Sequence, residues 1–226
     1  MGLNAQTSVP TFTAGEVLTA ANMNISARTG VPVFADTTAR DAAFGGTGEK
    51  TLAQGQLAFI ESGNLIQFYN GTSWVAVRRT LQIVNSQTGA VATGTTTIPF
   101  DDTIPQNTEG TEFLSVAITP SSTSNLLLIQ VVMNYSYSIA NTVTMALFQD
   151  TTANALAASS EYGSTATGMI NSGLTHYMTA GTTSSTTFKV RAGGETAGTL
   201  TVNGFSGARK LGGVMISSIT VTEYAA

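Results

Sequence analysis

Apolar and polar residues alternate through the C-terminal two-thirds of the chain. Phe188, Val190 and Ala192 share one face of an extended segment, and Lys189 and Arg191 take the other. Leu200 and Val202 share a face, as do Ile219 and Val221. A period of two marks a half-buried strand. Strand-like runs fall at residues 81–84, 95–98, 112–118, 125–137, 143–149, 169–178, 186–192, 199–202 and 214–224, with Gly, Asn, Asp, Ser and Thr turns between them. Two runs are apolar on both faces, Leu126-Leu127-Leu128-Ile129 and Met145-Ala146-Leu147-Phe148. They predict central strands, or strands covered by a second sheet or a second subunit. With no helical period among them, these runs predict an antiparallel β-sandwich of jelly-roll type. Residues 153–158 permit a helix but lack caps, and are read as loop.

Before residue 80 the rhythm differs. Thr13 and Glu16 stand at capping-box spacing, and Val17, Leu18 and Ala21 follow at helical intervals. A second short helix is predicted from Thr38, with Asp41 at the same offset and Ala42, Ala43 and Phe44 behind it. Between the two, Val31 is extended because Pro32 follows it. From Gln56 to Val77, apolar runs flank Ser62-Gly63-Asn64 and then Asn70-Gly71. They predict a three-stranded meander whose second turn is of type I′. So small a sheet is marginal alone and needs a covering surface. Trp74 reads as the plug of its core rather than a sugar platform. Arg78-Arg79 marks the joint. The expectation is a mainly β chain: a helix-plus-meander module over residues 1–79, then the sandwich over 80–226.

Composition narrows the chemistry. Among 226 residues there is no Cys and one His, and charged residues are 10%. Ser and Thr make up about a quarter of the chain, well above ordinary usage. Disulfides, thiolate nucleophiles and paired-His metal motifs are thereby excluded. A net charge of −4 gives no broad basic surface for nucleic acid. No apolar run approaches the ~20 residues of a membrane-spanning helix, so membrane insertion is not expected. The N-terminus lacks the basic and apolar regions of a secretory signal.

The Gly45–Thr51 stretch misses the phosphate-loop pattern, because Phe44 and Glu49 stand where glycines are needed. Gly204-Phe205-Ser206-Gly207 lacks the second spacer of a nucleophile elbow. His176 is the one imidazole available as a base. Asp101-Asp102 and Glu109/Glu112 are the carboxylate clusters, and they read as turn formers. The chain is therefore expected to be no enzyme and to need no cofactor or metal.

The segment Phe12-Thr13-Ala14-Gly15-Glu16-Val17-Leu18-Thr19-Ala20-Ala21-Asn22-Met23-Asn24 resembles the opening of many tailed-bacteriophage virion structural proteins. Val33-Phe34-Ala35-Asp36, Ala39-Arg40-Asp41-Ala42-Ala43 and Tyr69-Asn70-Gly71-Thr72-Ser73-Trp74 continue the likeness. So do Ser124–Val131 and the ending Ser217–Tyr224, although Leu126 replaces a usual Lys and Thr222 a usual Met. The resemblance implies a homotrimer made in the host cytoplasm and located in the virion. It would be a short tail fibre or tip protein, or alternatively a capsid-decoration or head-fibre protein, touching other tail or capsid proteins. Phe12, Val17, Leu18, Met23, Val33, Phe34 and Trp74 become anchor or interface candidates. Tyr135, Tyr137, Tyr162 and Tyr177 become candidates for contact with a host surface glycan or protein, by stacking on sugars.

Overall fold

The computed structural model describes residues 30–45, 51–77 and 79–226. The chain divides into two compact units, Met1–Arg78 and Arg79–Ala226. The helix expected from Thr13, the candidates Phe12, Val17, Leu18 and Met23, and most of the Gly-rich stretch lie outside the described residues.

In the first unit, β1 (Val33–Phe34) pairs parallel with β2 (Leu57–Ile60). β2, β3 (Leu65–Tyr69) and β4 (Trp74–Ala76) form the expected antiparallel meander. The helix α1 (Thr37–Ala42) starts one residue before the expected Thr38. Its N-cap is Asp36, whose carboxylate accepts from the Ala39 N–H at 2.8 Å. The second hairpin turn is not of type I′: Gly71 has positive φ but Asn70 does not. Instead the Asn70 side-chain oxygen accepts from the N–H groups of Thr72 and Ser73, each at 2.9 Å.

The second unit is a two-sheet sandwich. One sheet runs β10 (Ala157–Gly163), β9 (Asn141–Gln149), β12 (Thr186–Gly194), β7 (Thr111–Ile118). The other is centred on the long β8 (Leu126–Tyr137). On one side β8 pairs with β11 (Met169–Thr179). On the other it pairs with β16 (Ser217–Tyr224) and β13 (Leu200–Val202), which carry β5 (Thr80–Thr88) and β6 (Ala92–Gly94) at the edge. The pairings are antiparallel, and both inner faces share one apolar core. Burial of that core is the main stabilising term.

Three expectations change here. Residues 95–98 form no strand; Ile98 folds over Ala146 and Phe148. So the second face of the Met145–Phe148 run is covered by the chain's own loop, not by another subunit. A Cβ on Gly193 would stand 3.0 Å from the Ile98 nitrogen, and its absence admits that loop. Ala157 and Ala158, read as loop, open the edge strand β10. The Gly204–Gly207 segment belongs to a hairpin, β14 (Gly204–Phe205) and β15 (Ala208–Arg209). Its turn residues Ser206 (φ 49°) and Gly207 (φ 76°) both have positive φ, as a two-residue hairpin loop needs.

Candidate functional site

The sheet centred on β8 buries one face and leaves the other open. Along β8 the odd-numbered residues from Leu127 to Tyr137 point into the core. The even-numbered residues 126 to 136 therefore point outward. Register extends that outward phase across neighbouring strands. Thr222 and Tyr177 flank Leu128, and Ile83 lies beyond Thr222. Thr220 and Thr175 flank Gln130, with Asn85 beyond Thr220. Ser218 and Gly173 flank Val132. None of these side chains is charged. Ile83 is 63% exposed, Tyr177 52% and Val132 44%, so large apolar groups stand in water beside amides and hydroxyls.

The opposite outer face contrasts with it. Glu112, Lys189 and Arg191 point out from the sheet of β7 and β12, and Tyr162 does so from β10. Arg191 donates to the carbonyls of Glu109 and Gly110, both at 2.8 Å, and lies 3.8 Å from Glu112.

The four tyrosines do not form one site. Tyr135 and Tyr137 are core residues, 1% and 3% exposed, which corrects the expectation that they meet a partner. Counting by two from Leu127 gives their inward phase. Burial, reinforced by the Glu161 charge, pushes the Tyr135 hydroxyl up to about 12, against a hydrogen bond with Ser172 that lowers it. Burial also raises Tyr137. Tyr162 and Tyr177 are exposed, but they stand on strands of different sheets.

In the first unit, Phe34 is fully buried and Trp74 packs on it through Phe44. Val33 is partly buried on β1. The Arg40 guanidinium lies 4.8 Å from the Trp74 ring centroid and donates to Gln67 and Asp41. These residues form the unit's own core.

The remaining chemistry-bearing residues do not converge. Asp101 accepts from the N–H and hydroxyl of Thr103 in an exposed turn, and these bonds hold its carboxyl below the usual range. His176 lies on the inward phase of β11 and is partly buried. Among the described residues no three His, Asp or Glu side chains are grouped to hold a metal ion. No described helix is long and apolar enough to cross a membrane. Sequence reading missed Glu223, a fully buried carboxylate. It also missed a hydroxyl-lined cavity under the β14–β15 hairpin. Neither has a local sequence signal, because each draws on segments far apart in the chain.

Several solved structures are similar in outline. Eiger TNF from S. frugiperda matches at 10% identity and a TM-score of 0.35, covering 62% of this chain and 92% of that one. The infectious bursal disease virus Gx strain matches at 10% identity and 0.32, covering 70% and 41%. The VP2 subviral particle of that virus matches at 10% and 0.26, covering 72% and 45%. The chain thus spans less than half of either virus protein. No curated protein matches in sequence. The family model for the Pgp3 C-terminal domain, of a Chlamydia protein, matches residues 94–226. That match overturns the likeness to tailed-phage virion proteins. With it go the tail-fibre and capsid-decoration roles and the location in a virion. The phage-like blocks before residue 80 lie outside the matched residues. Over more than half its length, this chain belongs to the Pgp3 C-terminal domain family.

Proposed function

We propose that residues 79–226 form a self-assembling binding domain, a homotrimer that displays its charged sheet outward and acts without catalysis. The observation that carries this reading is the outward face of β5, β16, β8 and β11. It is uncharged and exposes Ile83, Val132 and Tyr177. Water solvates such a face poorly, and a second copy of it is a suitable cover. Its two margins differ: Ile83 stands on the β5 side and Tyr177 on the β11 side. Joining one margin to the other is heterologous packing, and a ring of three is its smallest closed form beyond a dimer. Binding rather than turnover is favoured because His176, Asp101 and Glu223 sit apart, each held by its own surroundings. The partner is then a surface glycan or protein rather than nucleic acid, given the net charge of −4.

Light scattering on the eluting full-length chain tests the assembly. The expected mass is three times the 23.3 kDa chain. Val132→Lys, on the outward face, is expected to give monomers with unchanged circular dichroism. A wild-type monomer at micromolar concentration would overturn the assembly, and so would a Val132→Lys trimer.

A further inference from the structure

We infer that the cavity beneath the β14–β15 hairpin binds one neutral sugar ring, a hexopyranose residue of a glycan. The inference deepens the proposed binding role and rests on it.

The cavity holds about 300 Å³. That is the low end of ligand pockets (~300–1,000 Å³) and suits one ring rather than a chain. Ser136, Ser138, Thr167, Thr199, Thr201 and Ser206 line it, with Gly207 at its rim and no charged side chain. They come from β8, from the loop before β11, from β13 and from the hairpin turn.

A hydroxyl donates one hydrogen bond and accepts two. Here the backbone has already fixed which capacity several hydroxyls have left. The Thr201 oxygen accepts from the Gly207 N–H at 3.1 Å, and the Ser138 oxygen from the Thr199 N–H at 2.9 Å. Both keep their own proton to donate. The Ser136 hydroxyl donates to the Gly204 carbonyl at 3.0 Å, and the Thr167 hydroxyl to the Ala166 carbonyl at 2.5 Å. Both keep lone pairs to accept. Thr199 and Ser206 hydroxyls make no side-chain hydrogen bond among the described residues and adapt to either role.

Such a wall offers preset donors and preset acceptors side by side. Neighbouring hydroxyls of a pyranose each donate and accept, so they satisfy both kinds. A carboxylate only accepts and a phosphate chiefly does, so either would leave Ser136 and Thr167 lone pairs facing negative oxygen. An ammonium only donates, and would leave the Thr201 and Ser138 protons without an acceptor. Ser136 and Thr201 are 1% and 2% exposed. Their unused capacity is therefore costly unless something in the cavity pairs it.

Saturation-transfer difference NMR on the full chain tests this with three probes: methyl α-D-glucopyranoside, methyl α-D-mannopyranoside and methyl α-D-galactopyranoside. At least one is expected to show saturable transfer in the millimolar range, unaffected by excess sodium phosphate. Thr199→Val removes a hydroxyl that supports no other contact. It is expected to weaken binding about tenfold with unchanged thermal melting, while Thr199→Ser retains binding. Thr201→Val is expected to abolish transfer. No saturable transfer from any probe at about 50 mM would overturn the inference. So would transfer undiminished in both valine variants, or displacement by phosphate. Light scattering on the same samples keeps the two readings separate: a monomer that binds the glycoside refutes the trimer alone, and a trimer that does not refutes the sugar site alone.

Discussion

Replacing Glu223 by Gln tests how the last strand is held in the sandwich. The side chain lies on β16 and is fully buried. One carboxylate oxygen accepts from the Ser121 N–H at 2.8 Å, the Ser121 hydroxyl at 3.0 Å and the Asn125 amide at 2.5 Å. The other accepts from the Gln82 amide at 2.5 Å. One carboxylate thereby ties β16 to β5 and to the turn between β7 and β8. Burial pushes its pKa up. The hydrogen bonds from Gln82, Asn125 and Ser121 outweigh that and hold it below the ordinary 4.5. Glutamine keeps the volume but turns one oxygen into an NH2 group, which meets donors either way round. The better orientation loses the Gln82 bond and reduces the rest from ionic to neutral. At ~1.5–3 kcal/mol for a bond to a charged group against ~1 for a neutral one, the lost bond and the three weakened ones sum to about 3–9 kcal/mol, an upper figure because a buried neutral amide costs less desolvation than a carboxylate. The folded pKa lies below the unfolded one, so the carboxylate's contribution is full above that ordinary value. It fades as pH falls through the folded pKa. Urea denaturation at one protein concentration, at pH 7 and pH 3, reads both effects. The gap between wild type and Glu223→Gln is expected to shrink in acid. A variant within about 0.5 kcal/mol of wild type at pH 7, or a gap unchanged at pH 3, would refute the reasoning.

Three further outcomes follow from single contacts. Gly194→Ala places a Cβ 2.6 Å from a ring carbon of the buried Tyr137, and is expected to cost about 1–3 kcal/mol in a thermal melt. Tyr135, pushed up to about 12, favours the protonated fold, so its contribution holds below pH 10 and is lost as pH rises toward 12. Ultraviolet titration of Tyr135→Phe should accordingly differ from wild type only in the strongly alkaline range. Arg40→Ala removes the cation over Trp74, the chain's one tryptophan. Its fluorescence transition is expected to shift by about 1–2 kcal/mol, with the far-ultraviolet transition of the sandwich unmoved; an unchanged fluorescence midpoint would discount the contact.

The sandwich strands were legible because their signals are local, alternation in β7, β11, β12 and β16 and continuous apolar runs in β8 and β9. β10 was not, since Ala157-Ala158-Ser159-Ser160-Glu161-Tyr162-Gly163 has no β-branched residue and forms an edge, where packing imposes no pattern. Residues 95–98 have strand composition, yet the space left by Gly193 draws Ile98 over β9 instead. The tyrosines were misplaced by chemistry overriding phase: two of them share the parity of Leu127 and Ile129. The sugar cavity had no signature at all, because its hydroxyls are brought together by pairing of β8 with β13 and by a hairpin folded over both.

Scarce charge predicts poor solubility for a protein whose surface is uniform, but the charge here is sorted. Within the sandwich sheets, the outward charges stand on β7 and β12. The acid of β16, Glu223, is turned inward. Random depletion would thin both outer faces alike. One face bears Lys189 and the Arg191–Glu112 ion pair, and the other bears hydroxyls, amides and exposed Ile83, Val132 and Tyr177; two different surroundings, water for the first and the proposed partner copy for the second, account for that sorting. The hydroxyl cavity lies at the end of that second face, where Ser136 and Thr201, still on the shared outward phase, are covered by the hairpin. Several weak single-ring sites held at fixed spacing would bind a multivalent glycan far more tightly than one does, so the proposed assembly and the proposed sugar site are compatible rather than rival readings.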